Sequence, residues 1–395
     1  MTFADPSQAT PANAAAKPIA ASAAPARVRD LRLDFFRGIA MFIILMAHTP
    51  GNFLTSWIPA GWGFSDATEI FVFCSGMASA IAFGRGYDVA GWRLASAHVG
   101  LFFATLALTV ALTNSGLGTR NYWGQLNLWP LFVESDKWTN PDILLSFMTL
   151  RYVPNYFDIL PMYMIVLLLM PIIMALANVN KWLVGAFIAT VWFFAQRKIM
   201  DSLGLSHLYI GFPAEPWTER PWFFNPFSWQ LIFFTGFAFM RGWLPKPPVS
   251  KTLILFATFL VIANIPLSNI GVREFGFEWA RDVRAVIKPL IDKSSFGILR
   301  YVHFLALAYL CWVAAGDKGD KLLPRGDGTL ARVWEKCLAI ILKVGQQSLA
   351  VFVVSMFTAR LMGFVMDITG RATLTVLLVN LASAYILVAT AYGAG

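Results

Sequence analysis

Apolar residues in this chain gather in long runs instead of recurring at helical or alternating intervals. Ten such runs fall at roughly 34–54, 66–85, 92–113, 157–177, 181–197, 226–243, 252–270, 297–315, 345–366 and 372–391. A run of about 17 to 25 residues crosses the hydrocarbon core of a bilayer as a helix. The pattern therefore predicts an all-α polytopic integral membrane protein with about 10 transmembrane helices. An even number of crossings leaves both termini on one side. Arg27, Arg29 and Arg32 abut the first run, so the positive-inside bias places that side in the cytoplasm. The loops on the same side carry Arg85, Arg93, Lys181, Arg241, Lys246 and Lys251, and the 316–344 segment adds Lys318, Lys321, Arg325, Arg332, Lys336 and Lys343.

One outward segment runs against the bias. Between Arg273 and Arg300 it holds Arg281, Arg284, Lys288 and Lys293 among Glu274, Glu278, Asp282 and Asp292. It reads either as a solvated amphipathic helix or as a basic platform for an anionic or polyhydroxylated partner. Two further outward segments, 114–156 and 198–225, concentrate Trp123, Trp129, Trp138, Tyr152, Trp217, Trp222, Phe223 and Phe224. Interfacial aromatic belts and sugar-stacking platforms both use such residues.

Composition narrows the class. The chain is 57% hydrophobic and only 13% charged, against about a quarter charged in a soluble domain. Its net charge of +9 is loop and membrane-surface charge in that setting and implies no nucleic-acid partner. Residues 1–28 are rich in Ala, Pro and Ser and predict a disordered cytoplasmic tail, followed by one membrane domain over 29–395. Prolines interrupt any signal-peptide core, and Lys17 is the only basic residue before Arg27. Cys74, Cys311 and Cys337 lie in or beside the runs and imply no disulfide framework. No His and acidic residues recur at a metal-binding spacing, so no metal is expected.

Ionisable groups inside apolar runs are costly and mark functional sites. The stretch 31–51, LRLDFFRGIAMFIILMAHTPG, contains Asp34, Arg37 and His48. On one helix Arg37 and His48 are ~16 Å apart along nearly the same line, with Asp34 about 40° away. This face predicts a passage shared by the guanidinium and the imidazole. At the outward end of the second run stand Asp66 and Glu69, level with His48 if the first two runs form a hairpin. A carboxylate beside an imidazole fixes its tautomer and raises its basicity; capping of the second helix by Ser65 or Asp66 is the structural alternative. Downstream, Ser75, Gly76, Ala78, Ser79 and Ala80 suit close helix packing. Asp158 precedes the fourth run, Trp229 and Gln230 lie within the sixth, Arg300 and His303 share a face of the eighth, and Gln346, Gln347 and Ser348 open the ninth. His98 and His207 look peripheral.

Taken in order, RDLRLDFFRG, His48 after ten residues intervening from Arg37, GFSDATEIFVFCSGMASAIAFGRG, FDILPMY, FNPFSWQLIFFTG, LRYVHFLALAYL and GQQSLAVF resemble the OpgC family over about residues 29–366. That family comprises inner-membrane proteins that succinylate osmoregulated periplasmic glucans, within the type-3 membrane acyltransferases. The resemblance implies a multi-pass O-succinyltransferase in the bacterial inner membrane, with succinyl-CoA as co-substrate, no bound cofactor and a periplasmic glucan as acceptor. It implies His48 as catalytic base and Arg37 as a donor-binding residue, with Asp34, Asp66, Glu69, Asp158, Arg300 and His303 in family-like blocks. Asp66 or Glu69 would steady the imidazolium, and Arg300 or His303 would meet the oxyanion or the succinyl carboxylate. We also place Asp158, Trp229 and Gln230 among the substrate-binding residues. The chain departs from the family pattern at Gln347, where a histidine is expected. O-acetylation of another exported polysaccharide and proton-coupled transport of a glycan or anion are the alternatives, and homo-oligomerisation is left open.

Overall fold

A computed structural model of the protein describes residues 30–82, 87–115 and 141–395. The tail with Lys17, Arg27 and Arg29, and Arg85, Trp123, Trp129 and Trp138, lie outside the described residues. Among the described residues the architecture is all-helical; the one extended pairing is an isolated bridge between Pro213 and Pro221.

Among the described residues eleven helices follow the ten predicted runs, the fourth run holding two, and local chemistry sets where they begin and end. Helix α1, Leu31–His48, starts at Asp30, whose carboxylate accepts the Arg32 backbone N–H at 3.1 Å. Burial raises the Asp30 carboxyl, but the hydrogen bonds and charge of Arg32 outweigh it and hold it below the usual carboxylate range. The helix stops at His48, short of the predicted 54, because Thr49 precedes Pro50 and takes the extended conformation that a proline demands. Gly51, at φ +66, completes the turn. Then come α2 (Ala67–Ala82), α3 (Tyr87–Asn114), α4 (Ile159–Leu168) and α5 (Met170–Val179). The last two form one span interrupted at Leu169, just before Pro171.

The chain continues through α6 (Lys181–Phe194), α7 (Pro226–Met240) and α8 (Lys251–Ala263). The basic outward segment contains α9, Glu278–Ile287, an amphipathic helix that buries Ala280 and exposes Val286. The final four helices are α10 (Ile298–Ala315), α11 (Thr329–Gln346), α12 (Ser348–Thr369) and α13 (Thr373–Gly393). Helix α11 occupies most of the segment read above as a charged loop. Its lysines and arginines break the apolar run, yet Leu338 and Val344 are buried on its inner side.

Among the described residues five spans are long and apolar enough to cross a membrane: Val89–Leu112, Ile159–Val179, Ile298–Ala315, Ser348–Thr369 and Thr373–Gly393. Four other predicted spans, α2, α6, α7 and α8, are apolar helices of 13 to 16 residues, or about 20 to 24 Å. Helix α1 carries three charges, Arg32, Asp34 and Arg37.

Helices α2 and α7 pack most closely, and the reason is a reciprocal pair of glycines. A Cβ on Gly76 would overlap the Phe233 carbonyl, and one on Gly236 would overlap that of Phe73. Backbones meet directly there, as small residues allow within membranes. Around this contact α1, α4 and α12 close a continuous core that includes Met41, Phe71, Tyr163, Phe233, Phe237 and Phe352. The aromatic segment 198–225 divides: Trp222 is buried and donates to the Pro213 carbonyl, while Trp217 and Phe223 remain exposed.

Helix direction gathers the ionisable groups. At one end of the bundle Arg32 donates to the Gly316 carbonyl and lies over Trp312, joining the start of α1 to the end of α10. At the other end Arg371 reaches the Pro50 carbonyl, joining the end of α12 to the end of α1. The end of α1 and the starts of α2, α4 and α10 consequently meet at one pole.

Candidate active site

His48 is the last residue of α1, and its Nδ1 lies 2.8 Å from the Ile44 carbonyl. A carbonyl only accepts, so Nδ1 carries the proton and Nε2 holds the lone pair. Nε2 has no hydrogen-bond partner among the described residues. The imidazole borders a cavity of about 370 Å³ whose polar lining comes from Thr68, Asn155, Tyr156, Asp158, Lys293 and Arg360.

Tyr156 organises this wall. Its ring meets the imidazole edge to face at 5.5 Å, and its hydroxyl donates to the Met356 carbonyl of α12. Arg360, from the same helix, stands over the ring with Cζ 4.0 Å from its centre. Tyr156 holds φ +84, a conformation uncommon for a bulky residue. Asp158 is buried, and its Oδ1 accepts the Phe223 backbone N–H at 3.2 Å. It precedes α4 without capping it. The structure thus brings Asp158 and His48 to one cavity.

The expected pairing of a carboxylate with the imidazole does not form. Asp66 and Glu69 instead build a reciprocal cap at the start of α2: Asp66 Oδ1 accepts from Thr68 N–H, and Glu69 Oε2 accepts from Asp66 N–H. Their remaining oxygens meet cations. Glu69 Oε1 receives Arg300 at 2.7 and 2.5 Å, and Asp66 Oδ2 receives Lys293 at 2.6 Å. Two carboxylates and two cations make a cluster of zero net charge. The Ile44 carbonyl takes over the tautomer-fixing role expected of the acids.

Other expected contacts also fall elsewhere. His303 Nδ1 accepts from Ser65, whose hydroxyl is 2.7 Å away, and does not border the His48 cavity. Arg300 borders a second cavity of about 260 Å³ with Arg284 and Lys293. Trp229 is fully buried and donates to the Lys293 carbonyl at 3.0 Å, which fixes the backbone behind that lysine. Gln230 is equally buried and donates to the Ile188 carbonyl, tying α7 to α6. Neither side chain borders the His48 cavity.

Arg37 donates to the Ser348 hydroxyl at the start of α12, and Asp34 is buried one turn earlier on α1. The shared passage expected for Arg37 and His48 is closed. Between their levels Phe71 and Phe352 stack at 5.5 Å and 11°, with Tyr163 edge-on to Phe71. Met41 and Ile44 complete this buried apolar layer from α1.

Tyr156, Lys293 and Arg360 escaped the sequence-based choice of site residues. For Arg360 a signal existed, a lone guanidinium within the apolar run 345–366. Lys293 was visible only as one cation among several in a charged segment.

Among the described residues, an all-helical, strongly apolar bundle with helices long enough to cross a membrane places His48 on a cavity that Lys293 and Arg360 also border. The family model described as OpgC protein matches residues 29–395, and the chain belongs to that family. Membership suggests a membrane acyltransferase acting on periplasmic glucans. No curated protein and no solved structure matches the chain.

Proposed function

We propose that the protein moves a succinyl group from succinyl-CoA to hydroxyls of a periplasmic glucan, with His48 as general base. The observation that carries this reading is the His48 Nδ1–H bond to the Ile44 carbonyl, which leaves Nε2 as a proton acceptor at the cavity. A glucan hydroxyl oxygen attacks the thioester carbonyl carbon while Nε2 takes the hydroxyl proton. The C–O bond forms, the C–S bond breaks, and the imidazolium returns the proton to the departing thiolate. Family membership supports the acyltransfer, and the cations at the cavity suit an acyl group that carries a free carboxylate.

In this reading the chain crosses the bacterial inner membrane ten times with both termini in the cytoplasm, as the ten apolar runs and their flanking charges support. The pole with His48 then faces the periplasm. Arg37, with Asp34, holds the donor on the inner side, and the Phe71 and Phe352 layer opens to pass the acyl arm. The test is purified protein with isotopically labelled succinyl-CoA and periplasmic glucan, read by mass spectrometry. Wild type adds about 100 Da plus the mass of the label per modified hydroxyl, the increment of one succinyl group, and His48→Ala does not. Glucan of unchanged mass with wild type refutes the proposal; an acetyl increment with acetyl-CoA alone changes the donor.

A further inference from the structure

We infer that the second cavity at the His48 pole, about 260 Å³ in volume, binds a carboxylate already carried by the glucan, so that a chain modified once is held for further modification. This rests on the acyltransfer reading above, whose product is itself an anion. Each succinyl ester leaves a free carboxylate on a polymer that was uncharged.

The walls of this cavity carry a surplus of positive charge. Arg284, Lys293 and Arg300 border it against one bordering carboxylate, Asp66. Asp66 meets Lys293 at 2.6 Å and Arg300 at 3.6 Å, and Glu69 supplies the second carboxylate of that neutral four-ion cluster. The charge left over is that of Arg284. Its guanidinium, on α9, donates to the Leu267 carbonyl and, at 3.2 Å, to Asn269 Oδ1, both neutral acceptors. Burial lowers its pKa, and no carboxylate opposes that shift. Two bonds use two of the five N–H groups of a guanidinium. They tie the side chain to the 267–269 turn while donors remain for a carboxylate, the anion that a guanidinium fork fits best.

The cavity also lies beside the proposed reaction. Lys293 borders both it and the His48 cavity. The ammonium itself is 2.6 Å from Asp66 Oδ2, on the wall of the second cavity, and 5.7 Å from the Phe224 ring centre, on the wall of the first. Occupants of the two cavities are therefore neighbours across one cation. A polymer of sugars supplies both, a hydroxyl for His48 from one unit and an ester carboxylate for Arg284 from another.

The experiment measures binding of two labelled glucans without donor, one unmodified and one carrying a single succinyl group per chain, to full-length protein in detergent by equilibrium dialysis. One charge-assisted contact in a half-open site corresponds to about 10-fold in affinity. Wild type is expected to bind the succinylated glucan tighter by about that factor. Arg284→Gln binds both glucans alike, with the wild-type affinity for the unmodified one. Arg284→Lys keeps the charge and part of the preference, a result that a purely packing role does not give. Lys288→Gln removes an exposed charge that follows α9 and lies outside the cavity, and it keeps the full preference. Equal wild-type affinities for the two glucans overturn the inference. So does an equal loss on both glucans in Arg284→Gln, which marks a packing residue, or a matching loss of preference in Lys288→Gln, which marks general surface charge. Turnover with succinyl-CoA on the same samples tests the acyltransfer reading separately: absent turnover with the binding preference intact fails that reading and leaves the carboxylate site standing.

Discussion

Removing the charge of Glu69 leaves buried Arg300 with Asp66, 3.6 Å away and already paired with Lys293, as its remaining counter-charge in the cluster, and the size of that effect follows from the structure. Glu69 is fully buried, and its oxygens accept two hydrogen bonds, from Arg300 Nε and the Asp66 backbone N–H, while a second Arg300 nitrogen lies 2.5 Å away in the ion pair. At ~4 Å and an effective dielectric of ~20 the ionic attraction is ~4 kcal/mol, and desolvation of both ions offsets much of it. Loss of one partner is far costlier than loss of both. A single removal from such a pair costs about 3–5 kcal/mol, whereas paired apolar replacement is close to neutral. Glu69→Leu and Arg300→Met are each expected to destabilise the protein by about that amount. The double variant recovers most of it, because Asp66 and Lys293 remain paired at 2.6 Å. The assay is a double-mutant cycle from reversible denaturant titrations in mixed micelles, followed by tryptophan fluorescence. A coupling energy of at least ~2 kcal/mol is expected; single effects that add to within ~0.5 kcal/mol refute the reasoning.

Three further outcomes are expected. Gly76→Val forces a side chain into the Phe233 carbonyl, so size-exclusion chromatography of detergent extracts shows loss of the monodisperse folded peak. Trp229→Phe removes the hydrogen bond to the Lys293 carbonyl; it costs about 0.5–1.5 kcal/mol of stability and leaves acceptor KM within about threefold. Ser348→Ala removes the hydroxyl that receives Arg37, and it shifts KM for succinyl-CoA while kcat on saturating donor stays near wild type.

Helix positions were legible wherever the pattern was local. Asp30, Asn180, Asn225 and Ser250 accept N–H groups at the starts of α1, α6, α7 and α8, close to where the apolar runs begin. Helix α11 was hidden because its apolar stripe is interleaved with lysine and arginine, so no unbroken run marks it. The candidate site was legible as residue types and not as partners. Asp34, Arg37, Asp66, Glu69 and Arg300 stand out as ions in an apolar chain, but Glu69 and Arg300 are 231 positions apart. Nothing local says that the carboxylate meets the guanidinium instead of His48. The imidazole's own partner, a backbone carbonyl one turn earlier, leaves no mark in residue identity at all.

The central claim is that His48 abstracts the acceptor proton. The direct measurement is the single-turnover rate of succinyl transfer for His48→Ala against wild type, with donor binding and thermal midpoint recorded on the same samples. The account predicts a fall of about 10²- to 10⁴-fold with donor affinity retained; a near-native rate in folded His48→Ala contradicts it.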